Sequence, residues 1–441
     1  MYNENYEINS ERMTVMDNTF HGIELIKQPT APKYHCGKGC EMLLFGGCTR
    51  QEFDRQCEII SQSGNNFYTE NEIKGNIFRT YVSNKPMHQI HAYYCENEGK
   101  MRIVADPNGN IFAKSPESCP VTHPTTLWQF EIDHSLIDCG MCLIIRCCDG
   151  SFFIIDSAHM YSVNDDIRII EFLKKQTGGR KPVVSGWFFS HAHEDHVCKF
   201  LDIVEYHRNE IEIEKVYYNF PAADNKDNIY WGECGLAVLR RFETVMAANP
   251  DIKCINLHSG QRFYVRNLEF TVLCTHEDVY PKPFEDFNNT STALMLSVDG
   301  SKVLLPGDCS VESDRVMVPR WGDYLKCDVV QVSHHGHTGT SPEFYRLADA
   351  ECALFAVTEI KYDEEYPRQE SNRVAVGIAK EYYIASNGAV EIPLPYKYGN
   401  TKVYPDETFE DFNGIFQLWT YEYTDEYKQK LYREFLERSG R

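Results

Sequence analysis

Three histidines and an aspartate fall within six residues of this chain, in the string Ser190-His-Ala-His-Glu-Asp-His196. The apolar run 182–189 leads directly into the string and predicts a buried strand. Imidazole and carboxylate groups are ligands that zinc binds at about 2.0–2.2 Å. Because a short loop at the end of a rigid strand holds its side chains in fixed directions, the string predicts a metal site at a sheet edge.

The spacing inside the string predicts two metal ions. His191 and His193 can turn to one ion, while Asp195 and His196 point to a second ion a few ångströms away. The alternative is a polar loop whose histidines only face solvent. Against it, the 16 histidines of this 441-residue chain would rarely cluster so densely by chance.

Strand-like and helix-like patterns alternate around the string, which predicts an α/β core with covered sheets. Before this core, residues 1–120 predict a small N-terminal α+β domain, made of a helix at 51–63 and an antiparallel meander. Residues 121–400 form the predicted main domain. Residues 401–441 are an acidic and aromatic extension that ends in a predicted helix at 424–438.

Composition limits the expected partners and location. The formal net charge of −21 repels phosphate backbones at long range, so bulk nucleic-acid binding is not expected. No apolar stretch approaches ~18 residues, so no membrane association is expected. A polar N-terminus and 17 cysteines without a disulfide framework predict a cytoplasmic protein with reduced thiols. The sequence leaves the oligomeric state open.

Five motifs, in order, resemble those of the metallo-β-lactamase superfamily. The HxHxDH string is one of them, and the strand Phe152-Phe-Ile-Ile-Asp156 precedes it. The other three are Cys274-Thr-His276, Val303-Leu-Leu-Pro-Gly-Asp308 and Val330-Gln-Val-Ser-His-His-Gly336. The last two motifs are similar to the branch that includes the nuclease-like domain of competence DNA-uptake proteins, and to phosphorylcholine esterases. The chain departs from the uptake proteins by lacking membrane segments and by carrying a histidine at position 276.

This resemblance implies the fold and the ligand set. The fold would be a four-layer αββα sandwich with the metals at one edge of its two sheets. Two divalent ions are implied, zinc first, with manganese or iron as alternatives. The implied ligands are His191, His193 and His276 for metal 1, Asp195, His196 and His335 for metal 2, and Asp308 as a bridge between them.

Further roles follow from the same resemblance. Asp156 would orient a ligand imidazole from behind, although a turn aspartate at a strand end is an open alternative. His334 would face the substrate and stabilise negative charge on phosphoryl oxygens. The order of the pair His334 and His335 is open. Asp195, Asp308 and His334 are therefore the candidate catalytic residues.

The implied activity is hydrolysis by a hydroxide that both metals share, with a small or medium phosphodiester as the substrate. The same metal pair could instead hydrolyse a carboxylic ester, a lactone or a thioester. A non-catalytic metal-binding scaffold is the third possibility.

A second group of metal-binding residue types lies at His35-Cys-Gly-Lys-Gly-Cys40. It offers two cysteines and one histidine, whereas a structural zinc normally needs four ligands. The stretch is therefore interpreted as a turn-rich loop. The pair Cys139 and Cys142 lies in a β-rich run, away from any helix start that would activate a thiol, and is interpreted as core packing.

Overall fold

The computed structural model describes residues 18–405, except 85–86, 134–136, 163, 224–232, 283 and 285. A short hairpin of β1 (Thr19–Phe20) and β2 (Ile23–Glu24) comes first, and three larger sheets follow. The N-terminal sheet is antiparallel, in the order β3-β4-β8-β7-β6-β5. Its strands are β3 (Tyr34–Gly37), β4 (Cys40–Phe45), β5 (Asn66–Ile73), β6 (Asn76–Asn84), β7 (Met87–Cys95) and β8 (Lys100–Asp106).

The second sheet has the order β15-β14-β12-β11-β10-β9-β23-β24, with β13 beside β12. Its strands are β9 (Thr126–Gln129), β10 (Leu143–Arg146), β11 (Phe152–Ile155), β12 (Val183–Phe188), β13 (Glu212–Ile213), β14 (Lys215–Tyr218), β15 (Lys253–Asn256), β23 (Ala389–Pro393) and β24 (Lys402–Tyr404). The third sheet follows chain order, with β16 (Arg262–Val265), β17 (Leu268–Cys274), β18 (Ala293–Val298), β19 (Ser301–Leu305), β20 (Val329–Gln331), β21 (Cys352–Phe355) and β22 (Glu381–Ile384).

The helices of the described residues are α1 (Arg50–Gln62), α2 (Asp165–Gln176), α3 (Glu194–Tyr206), α4 (Glu233–Ala248), α5 (His276–Val279), α6 (Val311–Trp321), α7 (Pro342–Ala348), α8 (Glu359–Glu365) and α9 (Glu370–Ile378). None of these helices is long and apolar enough to cross a membrane.

The second and third sheets pack face to face. Phe153 of β11 lies 4.4 Å from Phe270 of β17 between ring centroids. Helices cover the outer faces of both sheets. On the second sheet, the ring of Trp187 in β12 packs on Phe200 of α3 at 4.9 Å between centroids. On the third sheet, Phe355 of β21 packs on Tyr362 of α8 at 4.9 Å. All four residues of β11 are buried because both faces of its sheet are covered. This order of layers is the predicted αββα sandwich, and the predicted fold class is confirmed.

The N-terminal sheet has its own small core. The helix α1 begins with a capping box, in which Thr49 and Glu52 bond to each other's backbone N–H groups. This helix covers one face of the sheet with Phe53, Cys57 and Ile60. The predicted helix is present as α1, and the predicted antiparallel meander is present as β5 to β8. The hairpin β3–β4 adds two strands that the sequence pattern did not indicate. The domain boundaries at 120 and 400 stay predictions.

The other face of the N-terminal sheet packs on the sandwich. Phe78 of β6 stacks on Trp321 at 5.7 Å. It also lies so close to Gly260 that a Cβ atom there would overlap its ring, and Gly260 has a φ of +76°. Arg320 of the sandwich is buried and pairs with Glu98 and Asp278. Ring stacking and a buried ion-pair network therefore join the two parts of the chain.

The C-terminal end of the described chain completes the second sheet. β23 pairs with β9 and β24 pairs with β23, both antiparallel. The helix predicted at 424–438 lies outside the described residues.

Candidate metal centre

Strand β12 delivers the histidine string to one edge of the sandwich. The helix α3 begins at Glu194, with His193 as the residue that precedes its first turn. Asp195 therefore lies in the first helical turn, where the helix dipole favours a negative charge. The bend between strand and helix separates the string into a loop part, His191 and His193, and a helical part, Asp195 and His196.

Two imidazoles and two carboxylates converge beside this bend. The Nε2 atoms of His196 and His335 are 3.2 Å apart. The Oδ2 atom of Asp308 lies 3.2 Å from both of these nitrogens. The Oδ2 atom of Asp195 lies 2.9 Å from His335 Nε2 and 3.4 Å from His196 Nε2. We call Asp195, His196, Asp308 and His335 the edge cluster, and its four donor atoms lie within 4.8 Å of one another.

Charges within the edge cluster shift one another's protonation. Burial alone would lower the pKa of His196, but Asp195, Asp308 and Asp156 raise it well above its ordinary value. Burial likewise opposes the rise in the pKa of His335, which Asp308 and Asp195 bring to about 10. Burial would raise the pKa of both aspartates, yet the histidines hold each well below its usual range. The imidazoles thus act as the counter-cations of the carboxylates.

The donor set fits a divalent cation. The Oδ1 atoms of Asp195 and Asp308 are buried and have no hydrogen-bond partner within the described residues. Leaving a buried carboxylate oxygen unpartnered is costly, and a metal ion would satisfy it. Two imidazole nitrogens and two carboxylates are donors that zinc, manganese and iron all accept. A cation there would take over the charge balance now supplied by the imidazolium protons.

His191 and His193 lie next to the edge cluster. His191 Nε2 is 3.0 Å from His193 Nδ1 and 4.0 Å from Asp308 Oδ2. Asp308 Oδ2 therefore lies within 4.0 Å of one loop histidine, His191, and within 3.2 Å of His196 and His335. Burial and the neighbouring rings of His196 and His193 lower the pKa of His191 well below its ordinary value, so this imidazole is neutral and its lone pair is available to a metal.

Asp156 lies behind His196. Its Oδ2 accepts hydrogen bonds from His196 Nδ1 at 2.6 Å and from Ser190 Oγ at 2.8 Å. Its Oδ1 accepts from the backbone N–H of Ser190 at 2.8 Å. With Nδ1 donating to Asp156, the Nε2 of His196 is left to point at the edge cluster. Gly307 closes this corner, because a Cβ there would come within 2.6 Å of the Cβ of Ser190.

The two histidines at 334 and 335 occupy different environments. His335 is buried, and its Nδ1 bonds to the carbonyl oxygen of Ala356 at 2.7 Å, so that Nε2 faces the edge cluster. His334 is half-buried, and its Nε2 lies 3.1 Å from the side-chain nitrogen of Asn288. Both have positive φ angles, 51° and 54°, which turns the chain sharply between them. The structure brings His335, not His334, into the edge cluster.

His276 is placed at the start of α5, after Thr275. Its Nδ1 is 2.9 Å from the hydroxyl of Tyr34, in the N-terminal sheet. Its Nε2 is buried without a hydrogen-bond partner in the described part of the chain. Within those residues no hydrogen bond, ion pair or ring contact joins His276 to the other predicted ligands. The role of His276 as a ligand of metal 1 therefore stays a prediction.

Three residues near the site were not found from the sequence. Cys139 donates from Sγ to Asp195 Oδ2 at 3.7 Å. Asn288 contacts His334, and Tyr34 contacts His276. Nothing in the local pattern around Tyr34 pointed to a contact with a residue 242 positions later.

Comparisons with known proteins support no activity for this chain. No family model and no curated protein matches it. Among solved structures, the metallo-β-lactamase fold protein YhfI from Bacillus subtilis matches at 12% identity and a TM-score of 0.37, over 59% of this chain and 97% of that one. The diiron β-hydroxylase CmlA from Streptomyces venezuelae matches at 11% identity and a TM-score of 0.38, over 62% and 55%.

The short form of human tRNase Z is similar to this chain at 12% identity and a TM-score of 0.31, over 58% of this chain and 95% of that one. TM-scores below 0.5 do not decide the fold, which is established by the chain's own order of sheets and helices. The activities of these proteins belong to them alone.

Proposed function

We propose that this protein is a metal-dependent hydrolase with two metal ions, and that its substrate is a small or medium phosphodiester. The observation that carries the proposal is the convergence of Asp195, His196, Asp308 and His335 with His191 and His193 beside them. The resemblance of the LLPGD and SHHG motifs to phosphodiester-cleaving relatives favours phosphorus as the reacting centre.

Six of the seven predicted ligands are close enough to share two ions. His191 and His193 would hold metal 1, and Asp195, His196 and His335 would hold metal 2, with Asp308 between them. His276 completes metal 1 in this proposal, because its free Nε2 is the remaining nitrogen donor of the predicted set. When bound, two such ions lower the pKa of a shared water and neutralise charge in the transition state.

The chain's own residues orient and surround this centre. Asp156 holds the ring of His196 through Nδ1, and Tyr34 holds the ring of His276 in the same way. Phe287 lies against His193, with ring centroids 5.6 Å apart, and is an apolar neighbour of that proposed ligand. His334, half-buried beside Asn288, is the proposed contact to a phosphoryl oxygen, where a ring N–H would stabilise growing negative charge.

The test is the hydrolysis of bis-p-nitrophenyl phosphate by metal-loaded protein, with Asp308→Ala beside it. Turnover that disappears in the variant supports the proposal. If the protein binds two metals and leaves the phosphodiester intact, a carboxylic ester, lactone and thioester panel decides for carbonyl chemistry. Failure to bind metal after careful readdition would overturn the two-metal proposal and leave a scaffold that only retains the fold.

A further inference from the structure

A second group of donor atoms lies where the N-terminal sheet meets the sandwich. Cys36 and Cys40 belong to the β3–β4 hairpin, and Glu277 belongs to α5. The two sulfurs and a carboxylate oxygen of Glu277 lie within 4.8 Å of one another. All three residues are buried, with exposed fractions of 2%, 2% and 0%. We call these three residues the interface cluster.

The two thiols lie at a distance that suits a shared metal. Their Sγ atoms are 3.2 Å apart. This is longer than the ~2.05 Å of a disulfide and within the ~4.6 Å that two zinc–sulfur bonds of ~2.3 Å can span. The β-bulge between His35 and Gly37 displaces the register of the hairpin and brings Cys36 beside Cys40.

Glu277 is held as a ligand carboxylate would be. Its Oε1 accepts from His258 Nδ1 at 2.7 Å and from the side-chain N–H of Asn219 at 3.1 Å. His258 is fixed in turn by Asp106, with 3.4 Å between Nε2 and Oδ2. Such an outer hydrogen bond orients the carboxylate toward the thiols.

We propose that Cys36, Cys40 and Glu277 bind a third metal ion, a zinc-class divalent cation with a structural role. Two thiolates and one carboxylate select zinc over magnesium or calcium, which prefer oxygen ligands alone. These three protein donors are one fewer than a structural zinc usually has, and a water molecule would complete the tetrahedron. Binding releases the two thiol protons to solvent, and the cation ties the β3–β4 hairpin to α5.

Such an ion would fix the N-terminal sheet against the sandwich. The hairpin contributes two ligands and α5 contributes one, so unfolding of either part would break the site. The hairpin also carries Tyr34, which contacts His276. The site does not depend on the proposed hydrolysis, because none of its three residues belongs to the edge cluster.

Cobalt substitution tests this proposal on the full chain. Protein purified under reducing conditions and stripped of metal is titrated with Co²⁺, and thiolate-to-cobalt charge-transfer absorption is recorded in the near ultraviolet. Histidine and aspartate ligands alone cannot produce this band. The expected result is a charge-transfer band in the wild type, which binds three equivalents of Co²⁺. In Cys36→Ser and in Cys40→Ser the band should be lost, and the bound cobalt should fall to two equivalents.

Two cysteine variants serve as matched controls. Cys119 and Cys148 are another contacting pair, with sulfurs 3.4 Å apart, and among the described residues no carboxylate joins them in a metal-sized group. Cys119→Ser should keep the band. Cys139 lies beside Asp195 of the edge cluster and does not belong to the interface cluster. The variant Cys139→Ser should therefore also keep the charge-transfer band. A band that survives in Cys36→Ser, or that disappears in Cys139→Ser, overturns the proposal.

If the variants fail to fold, X-ray absorption of the zinc-loaded wild type decides. A sulfur shell at ~2.3 Å, averaged over the bound zinc, supports the site. An absence of sulfur neighbours overturns it. A disulfide between Cys36 and Cys40 in reduced, metal-loaded protein, found by peptide mapping, would also overturn it.

Discussion

The edge cluster and the interface cluster both gather buried donor atoms within 4.8 Å, but they differ in what surrounds them. Beside the edge cluster, His193 and His334 are half-buried, and each can meet a molecule that enters from solvent. In the interface cluster, Cys36, Cys40 and Glu277 are all buried where the N-terminal sheet meets the sandwich. The difference teaches that donor chemistry alone does not separate a catalytic site from a structural one. Access to the donors does.

The largest expected effect comes from removing the shared carboxylate of the edge cluster. Asp308→Ala should lower phosphodiester turnover on the order of 1000-fold, equivalent to about 4 kcal/mol of activation free energy. The reason is that Asp308 lies within 4.0 Å of His191 and 3.2 Å of His196, and so can serve both proposed ions. Steady-state hydrolysis measures the loss, and Asp363→Ala, on the exposed face of α8, is the control. Unchanged turnover in Asp308→Ala would remove the distinction between the two clusters.

The second-largest expected effect is on the free energy of unfolding, through the ion pairs between the N-terminal sheet and the sandwich. Glu98 pairs with the buried guanidinium groups of Arg102 and Arg320, so Glu98→Gln should lower the free energy of unfolding by about 3 kcal/mol at pH 7. Burial opposes this pairing, yet the arginines hold the pKa of Glu98 well below its usual range. A lowered folded-state pKa gives stabilisation that is complete above the unfolded value of ~4.3 and is lost as pH falls.

The difference between wild type and Glu98→Gln should therefore shrink from pH 7 to pH 3, as measured by urea unfolding. Glu96→Gln, an exposed neighbour on the same turn, should change little at either pH. A Glu98 effect of equal size at both pH values would show that packing, and not charge, joins the N-terminal sheet to the sandwich.

A smaller effect should separate two adjacent histidines. His334→Ala should lower kcat by about 100-fold while both metals stay bound, because His334 contacts Asn288 and no member of the edge cluster through a hydrogen bond. His335→Ala should lose metal, since its Nε2 lies 2.9 Å from Asp195. Metal analysis and kinetics on the two variants check this, and the reverse result would exchange their roles.

The smallest expected effect comes from Asp156, which bonds to the side of the His196 ring that faces away from the edge cluster. Asp156→Asn should weaken metal binding by about 10- to 100-fold through the altered hydrogen bond to His196 Nδ1. Competition with a coloured chelator measures the affinity. Asp166→Asn on α2 is the control, and equal affinities for the two variants would contradict an orienting role for Asp156.

Local spacing predicted two members of the edge cluster, Asp195 and His196, and the resemblance implied the other two, Asp308 and His335. His191, His193, Asp195 and His196 are neighbours along the chain, and a strand that ends at a sheet edge fixes where they go. The alternation of strands and helices predicted an α/β core with covered sheets, and the resemblance of the five motifs implied the αββα sandwich. Which of His334 and His335 turns inward depends on two left-handed backbone angles, and residue types do not specify those.

The interface cluster could not be predicted in the same way. With His35, Cys36 and Cys40 alone, the stretch looked one ligand short of a zinc site, because Glu277 comes from an element more than 200 residues away. Their meeting depends on how the N-terminal sheet packs on α5, which is a tertiary contact between two separately patterned regions. The same holds for Tyr34 and His276.

The bond between Tyr34 and His276 bears on how this protein could have evolved. A side chain of the N-terminal sheet holds the ring of a candidate ligand in the sandwich, and Arg320 reaches back to Glu98. Replacing the N-terminal part with another domain would therefore remove the hydroxyl group that contacts His276 and the carboxylate that pairs with Arg320. Lineages that keep the sandwich but change this sheet would have to alter both partners together.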